Sequence, residues 1–352
     1  MSNFKLLLIE DDDQALDLCQ EDVNEFEKEN SCKIDLVKCK NLIDANSILN
    51  NSFDGVIIDL KLDNQGDGSE GNKILIKIEE MKYRIPIAIL TATPGSVDIL
   101  PNYIGVFKKG DKGAGYHDLL VHFWDVYNTG ITRIMGGRGK IEESLGHVFN
   151  ENLMPEQFRK RWIEYGKVVS SRTEKAMLRH VLNHLLQLLD EDDDSCFPEE
   201  VYIIPPITKE YKTGSIILDK KEGRFFVIMT PACDLVIRNN GERKTDRILV
   251  VEIDSYDTIL KKYISTNDRE KSYKNALTLY YHWLPKTSFF NGGYINFRKL
   301  NTMNDDGIKT TFGEPIIQIS PSFVKDIISR FSTYYARQGQ PEIDNIYSLD
   351  GN

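Results

Sequence analysis

The feature that most limits how this chain can fold is a series of short apolar runs in its first 130 residues, all but the fourth followed by apolar residues at helical spacing. Lys5–Ile9 is such a run and ends abruptly in acid; Ala15, Leu18, Cys19, Val23 and Phe26 then recur at intervals of three and four. Ile34–Val37 reads as a second strand, and Leu42, Ile43, Ala45, Ile48 and Leu49 mark a second helix. Gly55–Asp59 is a third strand capped by an acid, with Ile74, Leu75, Ile78 and Met81 on the helix after it. Ile85–Leu90, entered through Pro86, and Ile104–Phe107 make five strands, and Leu119, Leu120, Phe123, Trp124 and Tyr127 line a last helix. Alternation of helices with apolar strands predicts a parallel sheet buried on both faces. Ligands of such a sheet bind beyond the carboxyl ends of its strands.

The residues with chemistry fall at those ends. Glu10 and Asp11 follow strand one, Asp59 ends strand three, Thr91 follows strand four, and Lys109 follows strand five. Three carboxylates brought together repel one another and attract a hard divalent cation such as Mg²⁺, which takes oxygen ligands. Asp59 is then placed to act as a nucleophile forming an acyl phosphate. Lys109 would pair with one phosphoryl oxygen and the Thr91 hydroxyl would donate to another, so that catalysis is positioning and charge stabilisation. Alone, an acid at a strand end also serves as a helix cap, the role read for Asp12 and Asp13.

Leu6-Leu7-Leu8-Ile9-Glu10-Asp11-Asp12, Val56-Ile57-Ile58-Asp59, Leu90-Thr91-Ala92 and Lys109-Gly110 together resemble the motifs of the response-regulator receiver family, over residues 4–128. The resemblance implies a flavodoxin-like, doubly wound five-stranded sheet. It implies Mg²⁺ held by Glu10, Asp11, Asp59 and the Lys61 backbone carbonyl, and phosphorylation of Asp59 by a histidine kinase or phosphotransfer protein. Thr91 and Lys109 would read the phosphorylated state, and the only catalysis implied is the domain's own phosphorylation and dephosphorylation. The chain departs from the family pattern in several places. Asn64–Gly68 reads as an insertion, Pro94 and Pro101 break the region of the fourth helix, Lys-Gly replaces Lys-Pro, and Phe107 is the candidate switch aromatic. Lys108 is the alternative to Lys109. These changes fall on the face through which many receivers dimerise or dock, so a homodimer is among the expected partners.

The rest of the chain carries weaker signals. Gly136-Gly137-Arg138-Gly139 reads as a linker, and residues 141–189 as helical up to the acidic run Asp190–Asp194. Val201–Ile204, Ser215–Leu218, Phe225–Met229 and Ile248–Ile253 read as strands, Ser272–Trp283 and Pro321–Tyr335 as helices. The expected organisation is a receiver over 1–130, a linker and helical segment over 131–200, a β-rich output or effector domain over 201–335, and a tail over 336–352. The second part is thus an α+β domain, with a helical segment and a mainly antiparallel β part. His180 and His184 share a helix face but lack a third ligand. Cys233 beside Asp234 is either a nucleophile or, as the favoured reading, a buried small residue. The aromatics between Tyr273 and Phe297 read as core. Arg133, Arg138 and Lys140, and then Arg159-Lys160-Arg161, form two basic clusters that suit nucleic acid or the receiver's acidic face. The output is therefore open between a receiver-gated effector enzyme or toxin and a DNA-binding transcriptional domain.

Composition narrows the classes. The net charge of −10 lies wholly in residues 1–130, where 13 Lys and Arg face 23 Asp and Glu. That excludes general polyanion binding by the whole chain. Five cysteines with no CxxC pair do not make a disulfide framework or a zinc site. No apolar run is long enough to span a bilayer and the first residues are unlike a signal peptide, so the expected location is the cytoplasm and no membrane partner is expected.

Overall fold

The structure is a computed structural model, described for residues 4–62, 70–97, 105–187, 195–238, 241–261, 270–271, 273–276 and 278–337. The chain divides into two compact units, residues 1–193 and 194–352.

In the first unit, β1 (Phe4–Ile9), β2 (Ile34–Cys39), β3 (Gly55–Ile58), β4 (Ile87–Thr91) and β5 (Gly105–Lys108) form a parallel sheet in the order β2-β1-β3-β4-β5. This is the flavodoxin-like arrangement, with its switch point between β1 and β3. Alternate side chains go to opposite faces. Leu6, Leu8, Ile57 and Ala88 pack under α1 (Asp13–Asn30) and α4 (Tyr116–Asn128). Leu7, Ile9, Ile58 and Ile89 pack under α2 (Leu42–Ile48) and α3 (Glu70–Glu80). Asp12 caps α1 by accepting the Gln14 N–H. Asn64–Gly68 and the stretch 98–104 lie outside the described residues. Among those described between β4 and β5, only a 3-10 turn at Pro94–Ser96 is helical.

Five short helical stretches continue this unit: α5 (Ile131–Met135), α6 (Lys140–Val148), a π turn at Phe149–Leu153, α7 (Glu156–Val168) and α8 (Ser170–Gln187). The glycine-rich stretch read as a linker is packed against the sheet end. The Gly137 N–H donates to the Asn51 carbonyl. A Cβ at Gly136 would stand 2.4 Å from the Thr132 oxygen, and one at Gly139 2.6 Å from the Ile134 oxygen. Arg84 Nε donates to the Met135 carbonyl at 2.6 Å and its Nη2 pairs with Glu142 at 2.6 Å. Arg138 pairs with the buried Asp54 at 3.2 Å.

The second unit holds a seven-stranded antiparallel sheet in the order β10-β11-β9-β8-β7-β12-β6. Its strands are β6 (Tyr202–Ile203), β7 (Ser215–Leu218), β8 (Phe225–Ile228), β9 (Ile248–Asp254), β10 (Tyr281–Leu284), β11 (Gly293–Met303) and β12 (Ile317–Ile319). Ile216, Val227, Val251 and Phe297 meet the helix Pro321–Tyr335 through Ile327. Ile217, Phe226, Ile228 and Val250 meet Ile308 and Phe312 on the other face. Tyr281–Leu284 is a strand where a helix over Ser272–Trp283 was expected. Tyr281, His282 and Trp283 pair with Asn296, Ile295 and Tyr294, and this pairing across the chain overrides local spacing.

One glycine ties the fold to the sheet end that carries the acids. A Cβ at Gly71 would lie 2.4 Å from Leu60 Cα and 2.7 Å from the Asp59 carbonyl oxygen, both backbone atoms. Gly71→Ala is therefore expected to destabilise the chain by about 1–3 kcal/mol in urea unfolding. Gly95→Ala, where nothing lies within 4 Å, serves as the control and should be near neutral; equal stability of the two variants would contradict the packing argument.

Candidate functional site: an acidic pocket at the strand ends

The parallel register delivers the site. The Glu10 N–H donates to the Cys39 carbonyl, and the Asp59 N–H to the Ile9 carbonyl, each at 2.9 Å. The ends of β1, β2 and β3 are thus locked side by side, and the acids that follow β1 and β3 have to be neighbours. Thr91 is opposite Lys108 across β4 and β5, and the Lys109 N–H donates to the Thr91 carbonyl at 2.9 Å.

Glu10, Asp11 and Asp59 each offer an oxygen within 4.8 Å of the others, and this is the only such group of three metal-ligating side chains among the described residues. Glu10 and Asp59 are buried and Asp11 is half-buried. Lys109 Nζ stands between two of them, 2.7 Å from Glu10 Oε2 and 2.7 Å from Asp59 Oδ2. The Lys61 N–H donates to Asp59 Oδ1 at 3.3 Å, and the Asp12 N–H to Glu10 Oε1 at 3.4 Å. Thr91, 1% exposed, closes the strand-four side; its hydroxyl accepts the Thr93 N–H at 3.3 Å. The ammonium that reaches the acids belongs to Lys109, while Lys108 is exposed.

Burial pushes the Glu10 carboxyl above the usual carboxylate range, the Asp59 charge adds to the rise, and Lys109 only partly offsets them. For Lys109, burial alone would lower the pKa. The hydrogen bonds to Asp59 and Glu10 outweigh it and raise the ammonium above its ordinary value. One positive charge therefore serves two buried carboxylates, with the Asp11 carboxylate beside them. An all-oxygen donor set with excess negative charge suits a hard divalent cation.

A residue that sequence reasoning missed also reaches the pocket. The hydroxyl of Tyr116, buried at the start of α4, is 3.4 Å from Glu10 Oε2. Its one legible sign in the sequence is a tyrosine seven residues after Lys109 on a helix otherwise read only for its core face.

The other candidates lie elsewhere. His180 and His184 are in ring contact, with centroids 4.3 Å apart, and His184 Nδ1 is spent on the His180 carbonyl at 2.8 Å. Cys233 is exposed on the helical turn Ala232–Leu235, which corrects the favoured reading of a buried residue; the turn points it outward. Its Sγ is 3.6 Å from Asp234, which pairs with Lys244 at 3.0 Å. Of the aromatics, Tyr281, Phe290, Tyr294 and Phe297 are core, whereas Tyr273 and Phe289 are exposed. In the basic clusters, Arg138 pairs with Asp54, Lys160 with Glu156 and Arg161 with Glu164. Among the described residues no helix is long and apolar enough to cross a membrane.

The charge balance yields a test. Lys109→Met leaves two buried carboxylates without their cation and should cost about 1–3 kcal/mol of stability near neutral pH in the presence of a chelator. Losing Lys109 raises the Glu10 pKa further, so the folded variant takes up a proton more readily than the unfolded chain. Its deficit against wild type should then narrow as pH falls from about 8 to about 5. A deficit that is constant across this range in thermal unfolding would contradict the assignment.

No protein-family model matches the chain, and no curated protein sequence does. Solved structures do. A response regulator receiver protein from Pseudoalteromonas atlantica matches at 13% identity over 36% of this chain and 98% of its own, with a TM-score of 0.28. A CheY-like receiver domain from Methanospirillum hungatei matches at 16% identity over 37% of this chain and 100% of its own, with a TM-score of 0.26. The RcsB response regulator of Salmonella typhimurium matches at 20% identity over 53% of this chain and 98% of its own, with a TM-score of 0.27. The fold assignment itself rests on the chain's own strand order and register. Over its N-terminal third the chain is similar to response-regulator receiver domains, and the similarity does not reach the C-terminal unit.

Proposed function

We propose that residues 1–130, within the first unit, are the receiver of a two-component response regulator that accepts a phosphoryl group on Asp59 and controls the C-terminal unit. The observation that carries the reading is the convergence of Glu10, Asp11, Asp59 and Lys109 in one pocket beyond the ends of a parallel sheet. The donor is a histidine kinase or phosphotransfer protein, and the exchange takes place in the cytoplasm. Glu10, Asp11, Asp59 and the Lys61 carbonyl would hold Mg²⁺, which when bound neutralises the carboxylates and the incoming phosphoryl oxygens.

The chain's own groups do the remaining work. An Asp59 carboxylate oxygen attacks phosphorus, and the new O–P bond forms as the P–N bond of a phosphohistidine breaks, its electron pair leaving with the imidazole nitrogen. The ammonium of Lys109, already beside Asp59, moves onto a phosphoryl oxygen with little displacement. The Thr91 hydroxyl, which accepts the Thr93 N–H, donates its own hydrogen to another phosphoryl oxygen and so draws the loop after β4 toward the site. A phosphoryl group that favours one loop arrangement by roughly 5 kcal/mol would turn a mostly inactive population into a mostly active one.

The test is direct. Acetyl phosphate with Mg²⁺ should produce a hydroxylamine-labile phosphoryl label on the wild-type chain and none on Asp59→Asn. Equal labelling of the two would refute the assignment.

A further inference from the structure

Glu10 Oε2 is reached by two donors that lie seven residues apart on either side of the β5–α4 turn. Lys109 Nζ is at 2.7 Å and the Tyr116 hydroxyl at 3.4 Å. Glu10 Oε1 is turned the other way, toward the Asp12 N–H at 3.4 Å. Only the first of the two Oε2 donors is free to move. Lys109 is a long, half-buried side chain, which the proposed reaction asks to follow the phosphoryl group. Tyr116 is 5% exposed and packed among Leu8, Cys19 and Leu119 in the core. The start of its helix is pinned as well: the His117 N–H donates to Asp22 of α1 at 3.0 Å, and the Gly115 N–H to Asp118 at 3.3 Å.

We infer that Tyr116 is a positioning residue of the metal site, fixing the rotamer of Glu10 so that its other oxygen stays presented when Lys109 turns from Glu10 toward the phosphoryl group. The inference rests on the proposed function and adds to it a second anchor on the acid pair, supplied by α4. A rigid aromatic hydroxyl suits this role because a tyrosine has few rotamers to lose and its ring is held by packing. The contact is longer than the lysine's, so its loss should weaken the site without abolishing it.

Calorimetric titration of the full-length wild-type chain and Tyr116→Phe with Mg²⁺ tests the inference, paired with acetyl phosphate labelling across a range of Mg²⁺ concentrations. The phenylalanine keeps the ring and its packing. The expected result is about threefold to tenfold weaker Mg²⁺ binding, with the labelling rate at saturating Mg²⁺ within twofold of wild type. Unchanged affinity, or a saturating rate that falls as far as the affinity, would overturn the positioning role while leaving the site itself intact. A wild-type chain that binds no Mg²⁺ would refute the proposed function, and this inference with it.

Discussion

The acidic end of the first unit depends on one ammonium group between two buried carboxylates. The parallel sheet forces Glu10 and Asp59 together, because their own backbone N–H groups close the ladder between neighbouring strands. Buried like charges at this distance are costly, and Lys109 at 2.7 Å from each is what makes the arrangement tenable. The same balance leaves the pocket unsaturated. In the proposed function a further cation would join Lys109 against the three acids and free Lys109 for an incoming anion. Structure and proposed chemistry therefore draw on one charge balance.

The helical segment after the sheet is built as an extension of it. Glycines at 136, 137 and 139 allow backbone to lie on backbone, and Arg84 and Arg138 reach across the junction to Glu142 and Asp54. A flexible tether would need neither. The contacts lie at the amino ends of β3 and β4 and hold α5 and α6 against the sheet.

The first unit was legible in the sequence because its signals are local and repeat. Apolar runs alternate with stretches of helical spacing, and five of them in order point to a parallel sheet, with acids at the ends of the first and third. Glu10, Asp11, Asp59 and Lys109 were legible for the same reason: strand ends in a parallel sheet point one way. Tyr116 was not, since its contact with Glu10 spans more than a hundred residues and its helix spacing assigns it to the core, where its ring indeed lies. The second unit was harder to read. β11 carries Asn296, Arg298 and Lys299 in mid-strand, and its register against β9 shifts between Ile295 and Leu300, so no alternation of period two survives to be seen. The exposed position of Cys233 depends on a four-residue turn that propensity does not foresee.

The proposed function requires that these acids hold one cation at the carboxyl end of the parallel sheet. Amide resonances of the isotopically labelled chain, followed as Mg²⁺ is added, test it most directly. Saturable shifts confined to the neighbourhood of Glu10, Asp11, Asp59, Lys61 and Lys109 are expected. Shifts scattered over the acidic surface, or none at these amides, would contradict it.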